Sequence, residues 1–108
     1  RCAVPTASLY GADHFVLIRD IHPPAATHVL IIPRTPIPRL VDSSADDQAL
    51  LGHLLLVAGR VAEDLGVGDA FRLVINNGEG GGQTVFHLHL HILAGREMTE
   101  GQLTAGLN

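Results

Sequence analysis

The sequence predicts an α+β fold: a five-stranded, largely antiparallel sheet with one long helix on a face, in a single domain over residues 1–108. Three observations carry this expectation. Short runs rich in aliphatic and β-branched residues at 8–10, 15–19, 27–33, 71–75 and 87–93 are separated by Gly, Pro, Asn and Asp, as strands are by turns. One stretch, 44–65, has helical periodicity with recognisable ends. Hydrophobic residues make up 46% of the chain, enough for one core at this length, and aromatics only 4%, so the core is aliphatic.

In chain order, 8–10 and 15–19 flank Gly11, Ala12, Asp13 and His14, a hairpin-like spacing in which His14 reads as a solvated turn histidine. Pro23 and Pro24 then cannot donate to a ladder and impose an irregular loop after the strand. Asp20, at the strand's end, is placed either to cap that turn or to accept hydrogen bonds from sugar hydroxyls. The run 27–33 is strongly β-branched and ends at Pro33, with Pro36 and Pro38 prolonging the break. His28 shares a face there with Leu30 and Ile32, a position where a lone histidine reads locally as structural.

The helix has Ser43 or Ser44 to cap its first N–H groups, Asp46 and Asp47 in its first turn and Gly66 for a left-handed stop. Wound at about 100° per residue, Leu50, Leu51, Leu54, Val57, Ala58, Val61 and Leu65 form one arc that faces the sheet. Gly52 and Gly59 lie on an adjoining strip beside Leu55 and Leu56. Interior glycine costs about 1 kcal/mol each, so this strip points to a close contact with a second copy and a homodimer is expected. His53 falls on the polar side and reads as a surface residue. After the strand at 71–75 comes the loop 76–82, four of whose seven residues are glycine, and the chain closes on an irregular tail, 99–108.

Composition narrows the function classes. A net charge of -4 with scattered arginines argues against a nucleic-acid groove. Cys2 is the only cysteine, which rules out an intramolecular disulfide or a cysteine-rich zinc cage within these residues. No apolar run approaches the roughly 18 residues of a membrane span and no signal peptide is visible, so neither a membrane partner nor a secreted location is expected. The expected compartment is cytoplasmic. The chain begins at Arg1 rather than Met, which leaves open an upstream targeting segment and hence an organellar location.

Chemistry concentrates where the glycine-rich loop meets His87, His89 and His91, three of the seven histidines. At a period of two they project from one face of an extended chain while Leu88, Leu90 and Ile92 project from the other. Such a row suits either of two chemistries. Alternate histidines can ligate a metal, although no cysteine or carboxylate ligand is nearby. They can also support a histidine nucleophile attacking phosphorus, with the Gly82 to Thr84 backbone holding phosphoryl oxygens.

The ordered set of motifs separates them. The segment Gln83-Thr84-Val85-Phe86-His87-Leu88-His89-Leu90-His91-Ile92-Leu93 resembles the His-x-His-x-His-x-x signature of the histidine triad (HIT) superfamily. Asp20-Ile21-His22-Pro23-Pro24-Ala25-Ala26-Thr27-His28 resembles its nucleoside-binding segment, and Leu50-Leu51-Gly52-His53-Leu54 its central helix. With Asn76 and Gly81-Gly82-Gln83-Thr84, the likeness runs from Val4 to Met98 and is to the branch of histidine triad nucleotide-binding proteins (HINT).

That resemblance implies a HIT-like dimer that hydrolyses purine nucleoside 5′-phosphoramidates, and related acyl-adenylates, through a nucleotidyl-histidine intermediate with an AMP-type product. No metal or other cofactor is implied. His89 would be the nucleophile, with His87 supporting its geometry, His91 and His28 making phosphate and proton contacts, and Thr84 standing where the branch usually has serine. Asp20 would bind ribose, Ile21 and His22 would line the base pocket, and Asn76, Gly82, Gln83 and Thr84 would surround the phosphate and leaving group. His91 stands where the transferase branch usually has glutamine, which favours hydrolysis. Dinucleoside polyphosphate hydrolysis and a non-catalytic nucleotide-binding scaffold are the alternatives. Three features depart from the branch: Pro24 in place of a common glutamine, a tail without the tryptophan-and-proline ending, and a start downstream of the cysteine pair that binds zinc in some relatives.

Overall fold

Phe15 and Leu17, Val29 and Ile31, and Leu90 and Ile92, alternate residues of three strands, form the face of the sheet that the helix covers. The computed structural model describes residues 2–3, 14–20 and 27–95. Within them the chain forms β1 (Cys2–Ala3), β2 (Phe15–Arg19), β3 (Thr27–Pro33), α1 (Gln48–Asp64), β4 (Phe71–Val74) and β5 (Leu90–Ala94), with single 3-10 turns at Leu40–Asp42, Ala45–Asp47 and Glu79–Gly81. The strands pair antiparallel in the order β1-β2-β3-β5-β4. Four of them carry the sheet, and β1 contributes only a two-residue pairing, Cys2 opposite Arg19 and Ala3 opposite Ile18. The strand expected at 8–10 and its hairpin lie outside the described residues, as do Ile21, His22 and the tail.

The expected helix is present and stops where anticipated, but its first turn, Ala45–Asp47, is 3-10 and the α-helix proper begins at Gln48. Ser44 accepts a hydrogen bond from the Asp46 N–H at 3.3 Å while Asp47 accepts one from the Ser44 N–H at 2.9 Å, a reciprocal cap on the 3-10 turn that leads into α1. At the far end Gly66 adopts φ +79°, and the Gly66 and Val67 N–H groups close back on Glu63 and Ala62 carbonyls at 3.0 and 2.9 Å. A β-carbon is strained at that φ, so the stop depends on glycine.

Leu54, Val57, Ala58 and Val61 of α1 pack against Phe15 and Leu17 of β2, Val29 and Ile31 of β3, and Leu90 and Ile92 of β5, all buried. Leu50, Leu51 and Leu65 of the expected arc are partly buried against the same cluster, and Ala62 of the helix is buried as well. Burying each large aliphatic side chain contributes about 1.5–3 kcal/mol. Leu54→Ala leaves a cavity at the centre of this layer and is expected to cost about 3 kcal/mol, read as a lowered denaturation midpoint with an unchanged slope.

The opposite face of the sheet holds the chemistry. His28 and Leu30 of β3 and His91 and Leu93 of β5 point away from the helix layer, and all four are buried. Strand β5 lies between β3 and β4 and is buried along its whole length, so it is a rigid support for whatever its ends carry.

Candidate functional site

Strand register brings the polar residues together. Asp20 continues β2 by one rung beyond the Arg19–Val29 pair, its N–H donating to the His28 carbonyl at 2.9 Å. Asp20 and His28 are therefore opposite one another and share a face. On β3's other side His28 is paired with Leu93 and Leu30 with His91, so His91 is the diagonal neighbour of His28, within reach of an aromatic ring. Side chains complete what the register allows: His28 Nδ1 lies 3.0 Å from Asp20 Oδ2, and His28 Nε2 lies 2.9 Å from His91 Nδ1. The His28 and His91 rings stack at 5.1 Å, and His91 meets His89 edge-on at 4.9 Å.

The expected period-two row is only partly realised. Strand β5 begins at Leu90, and the preceding residues turn away, because the Leu88 N–H donates to the Ile37 carbonyl at 2.7 Å and the His87 Nε2–H to the Pro33 carbonyl at 2.6 Å. His87 thus anchors the segment to the end of β3. Its own carbonyl accepts from His89 Nδ1 at 2.7 Å. A carbonyl only accepts, so the His89 proton sits on Nδ1 and the lone pair of the neutral ring on Nε2. His87 is half-buried, His89 7% exposed and His91 fully buried, so the middle member of the triad reaches solvent only sparingly.

The glycine loop is organised differently from expectation. Gly78 and Gly82 take φ +80° and +97°, which only glycine adopts without strain, and fold the loop into a closed turn. The N–H groups of Gly81 and Gln83 both donate to the Gly78 carbonyl, at 3.1 and 3.0 Å, and that of Gly82 to the Glu79 carbonyl at 3.0 Å. Gly82 and Gln83 therefore do not present free N–H groups to a phosphate; the turn consumes them. Thr84 is exposed immediately after it, and Asn76 is half-buried at the loop's other end.

The Gln83 side chain is buried and makes three hydrogen bonds within the protein. Its Oε1 accepts from the Gly78 N–H at 2.8 Å, and its Nε2 donates to the Pro38 carbonyl at 2.7 Å and the Val85 carbonyl at 3.0 Å. One side chain thereby ties the glycine turn, the proline segment and the approach to the triad. The prolines carried a readable signal: Pro has no N–H but keeps its carbonyl, and Pro33 and Pro38 both supply acceptors to the site. The Asn77 side chain adds a further tie, accepting from the Val41 N–H at 2.9 Å. His53, expected at the surface, is instead half-buried, its ring 5.9 Å from Phe15 and 6.4 Å from His14.

Among the described residues no group of three or more His, Cys, Asp or Glu side chains converges as a metal site. One ring nitrogen each of His87 and His89 is turned to a carbonyl, and the two of His28 are turned to Asp20 and His91. Nor is any described helix long and apolar enough to cross a membrane.

A sheet of this topology with triad imidazoles gathered at one end defines a class, and comparison with known proteins agrees. The HIT domain profile matches residues 1–98, and the chain belongs to the HIT domain family. It is 57% identical over 96 residues to an uncharacterized HIT-like protein of Synechocystis sp., covering 89% of this chain and 84% of that one. The crystal structure of a HIT family hydrolase from Legionella pneumophila superposes with a TM-score of 0.80 at 41% identity, over 90% of this chain and 88% of that one. The fold alone is shared with Plasmodium falciparum diadenosine triphosphate hydrolase, TM-score 0.64 at 21% identity, over 80% of this chain and 58% of that one.

Proposed function

We propose that this protein is a hydrolase of purine nucleoside 5′-phosphoramidates, of the HINT branch, acting through a nucleotide covalently held on His89. The observation that carries the reading is the tautomer of His89. With Nδ1–H held by the His87 carbonyl at 2.7 Å, Nε2 bears the lone pair that would attack phosphorus. In the first half-reaction the new His89 Nε2–P bond forms as the P–N bond to the leaving amine breaks, and the amine takes a proton from the site. In the second, water adds to phosphorus, its proton returns to the site, and the N–P bond to His89 breaks to release nucleoside monophosphate. The two proton transfers cancel, so the site is restored after each turnover. His91 and His28 serve as proton and phosphate contacts, Thr84 offers its hydroxyl to the leaving group, Asn76 borders the phosphate, and Asp20 binds ribose.

The test is an assay of chelator-treated protein on adenosine phosphoramidate beside a diadenosine polyphosphate. The reading expects turnover of the phosphoramidate, unaffected by chelation and faster than that of the polyphosphate. Preference for the polyphosphate would reassign the substrate class, and nucleotide binding without turnover of either would support a scaffold instead.

The same reading includes a homodimer through the outward strip of α1. Gly52 and Gly59 are exposed with nothing within 4 Å of an added β-carbon, and Leu55 and Leu56 beside them are 54% and 69% exposed. Gly59→Leu is expected to convert the dimer to monomer in analytical ultracentrifugation. A dimer unchanged by that substitution would remove this surface from the account.

A further inference from the structure

The geometry points to Asp20 as a positioning residue whose carboxylate sets the tautomers of His28 and, through it, of His91, so that the nucleoside end and the phosphoryl end of the site share one proton chain. The inference deepens the function proposed above and rests on it for its consequence in turnover. Its structural part stands on the register.

Asp20 and His28 are joined twice, by the backbone hydrogen bond at 2.9 Å, which holds the two residues opposite one another, and by Oδ2 to Nδ1 at 3.0 Å, which fixes the side chains relative to each other. A carboxylate only accepts, which puts the His28 proton on Nδ1. The neutral ring then has only its Nε2 lone pair to offer His91, 2.9 Å away, and His91 must donate from Nδ1. Each tautomer dictates the next, and the order runs from Asp20 towards His89, whose ring touches His91 edge-on. His28 is 3% exposed while the Asp20 side chain keeps 15% exposure. The carboxylate is thus the point at which this otherwise buried chain meets solvent, and a carboxylate can accept up to about four hydrogen bonds. A ribose hydroxyl reaching Asp20 would share the acceptor that holds His28, coupling nucleoside occupancy to the orientation of the imidazoles at phosphorus.

The test is two-bond 1H–15N correlation NMR of histidine-labelled, ligand-free protein, which reads the tautomer of each ring directly. In the wild type, His28 and His91 are expected to be protonated on Nδ1; either ring protonated on Nε2 alone would overturn the proposal without any variant being made. In Asp20→Ala both rings are expected to lose that preference and give averaged nitrogen shifts, with kcat lowered about 10²-fold through misalignment. Asp20→Asn retains a carbonyl acceptor and is expected to restore both the tautomers and most of kcat, while KM rises. Unchanged tautomers in Asp20→Ala, with only KM raised, would make Asp20 a sugar contact and nothing more. A wild type with the expected tautomers but no turnover would strike the proposed function and leave the proton chain standing.

Discussion

His89→Asn is expected to lower phosphoramidate turnover by about 10⁴-fold or more while leaving nucleotide binding nearly unchanged. Asparagine can still donate to the His87 carbonyl that now receives the His89 Nδ1–H, so the segment keeps its anchor. What it lacks is a lone pair capable of forming a bond to phosphorus. The effect should therefore fall on kcat, with no burst of product in the pre-steady state. His87→Phe would act differently: it removes the hydrogen bond to the Pro33 carbonyl at 2.6 Å but retains the backbone carbonyl that orients His89. Its loss is expected to be smaller and to come with a lowered denaturation midpoint.

Gln83→Leu is expected to cost about 3 kcal/mol of stability and to depress activity as well. Three groups lose their partner at once: the Gly78 N–H and the carbonyls of Pro38 and Val85. An unsatisfied buried group costs about 1–3 kcal/mol, and the low end applies here because Pro38 and Val85 are exposed and water can reach their carbonyls. Since this amide ties the glycine turn to the proline segment, its loss frees the backbone that leads to His89. Thermal denaturation reads the stability term, and kcat on folded protein at low temperature reads the second. A variant as stable as the wild type would show that the ties are dispensable.

The helix was legible because its signals are local. Ser44, Asp47 and Gly66 cap their own neighbours, and the arc of Leu54, Val57, Ala58 and Val61 follows from helical winding alone. At the candidate site the triad stands out in the sequence by residue type, whereas Asp20 reads there equally as a turn cap or a sugar contact. Their arrangement was not legible. His28 read locally as a structural residue in an apolar row, because its partners are set by register with Asp20 eight positions away and His91 sixty-three away. The period-two picture of the triad failed at its first half, where Pro33 and Ile37 carbonyls draw His87 and Leu88 off the strand. Glycine content alone was equally compatible with a cradle of N–H groups and with a plain hairpin loop; the Gly81, Gly82 and Gln83 N–H groups go to carbonyls of the loop itself, a choice that depends on which glycines take positive φ. His53 differs for a similar reason: helical winding puts it beside the polar arc, but its ring meets those of Phe15 and His14, neighbours that are distant in sequence.

The central claim is a covalent bond between His89 and the nucleotide, and rapid acid-free quenching followed by peptide mass spectrometry tests it most directly. During turnover of adenosine phosphoramidate, the peptide containing His89 is expected to gain the mass of one adenylyl group, with fragmentation placing it on that residue, and the gain should vanish in His89→Asn. Steady turnover with no adduct on any histidine, or an adduct on His87 or His91 in its place, would contradict the account.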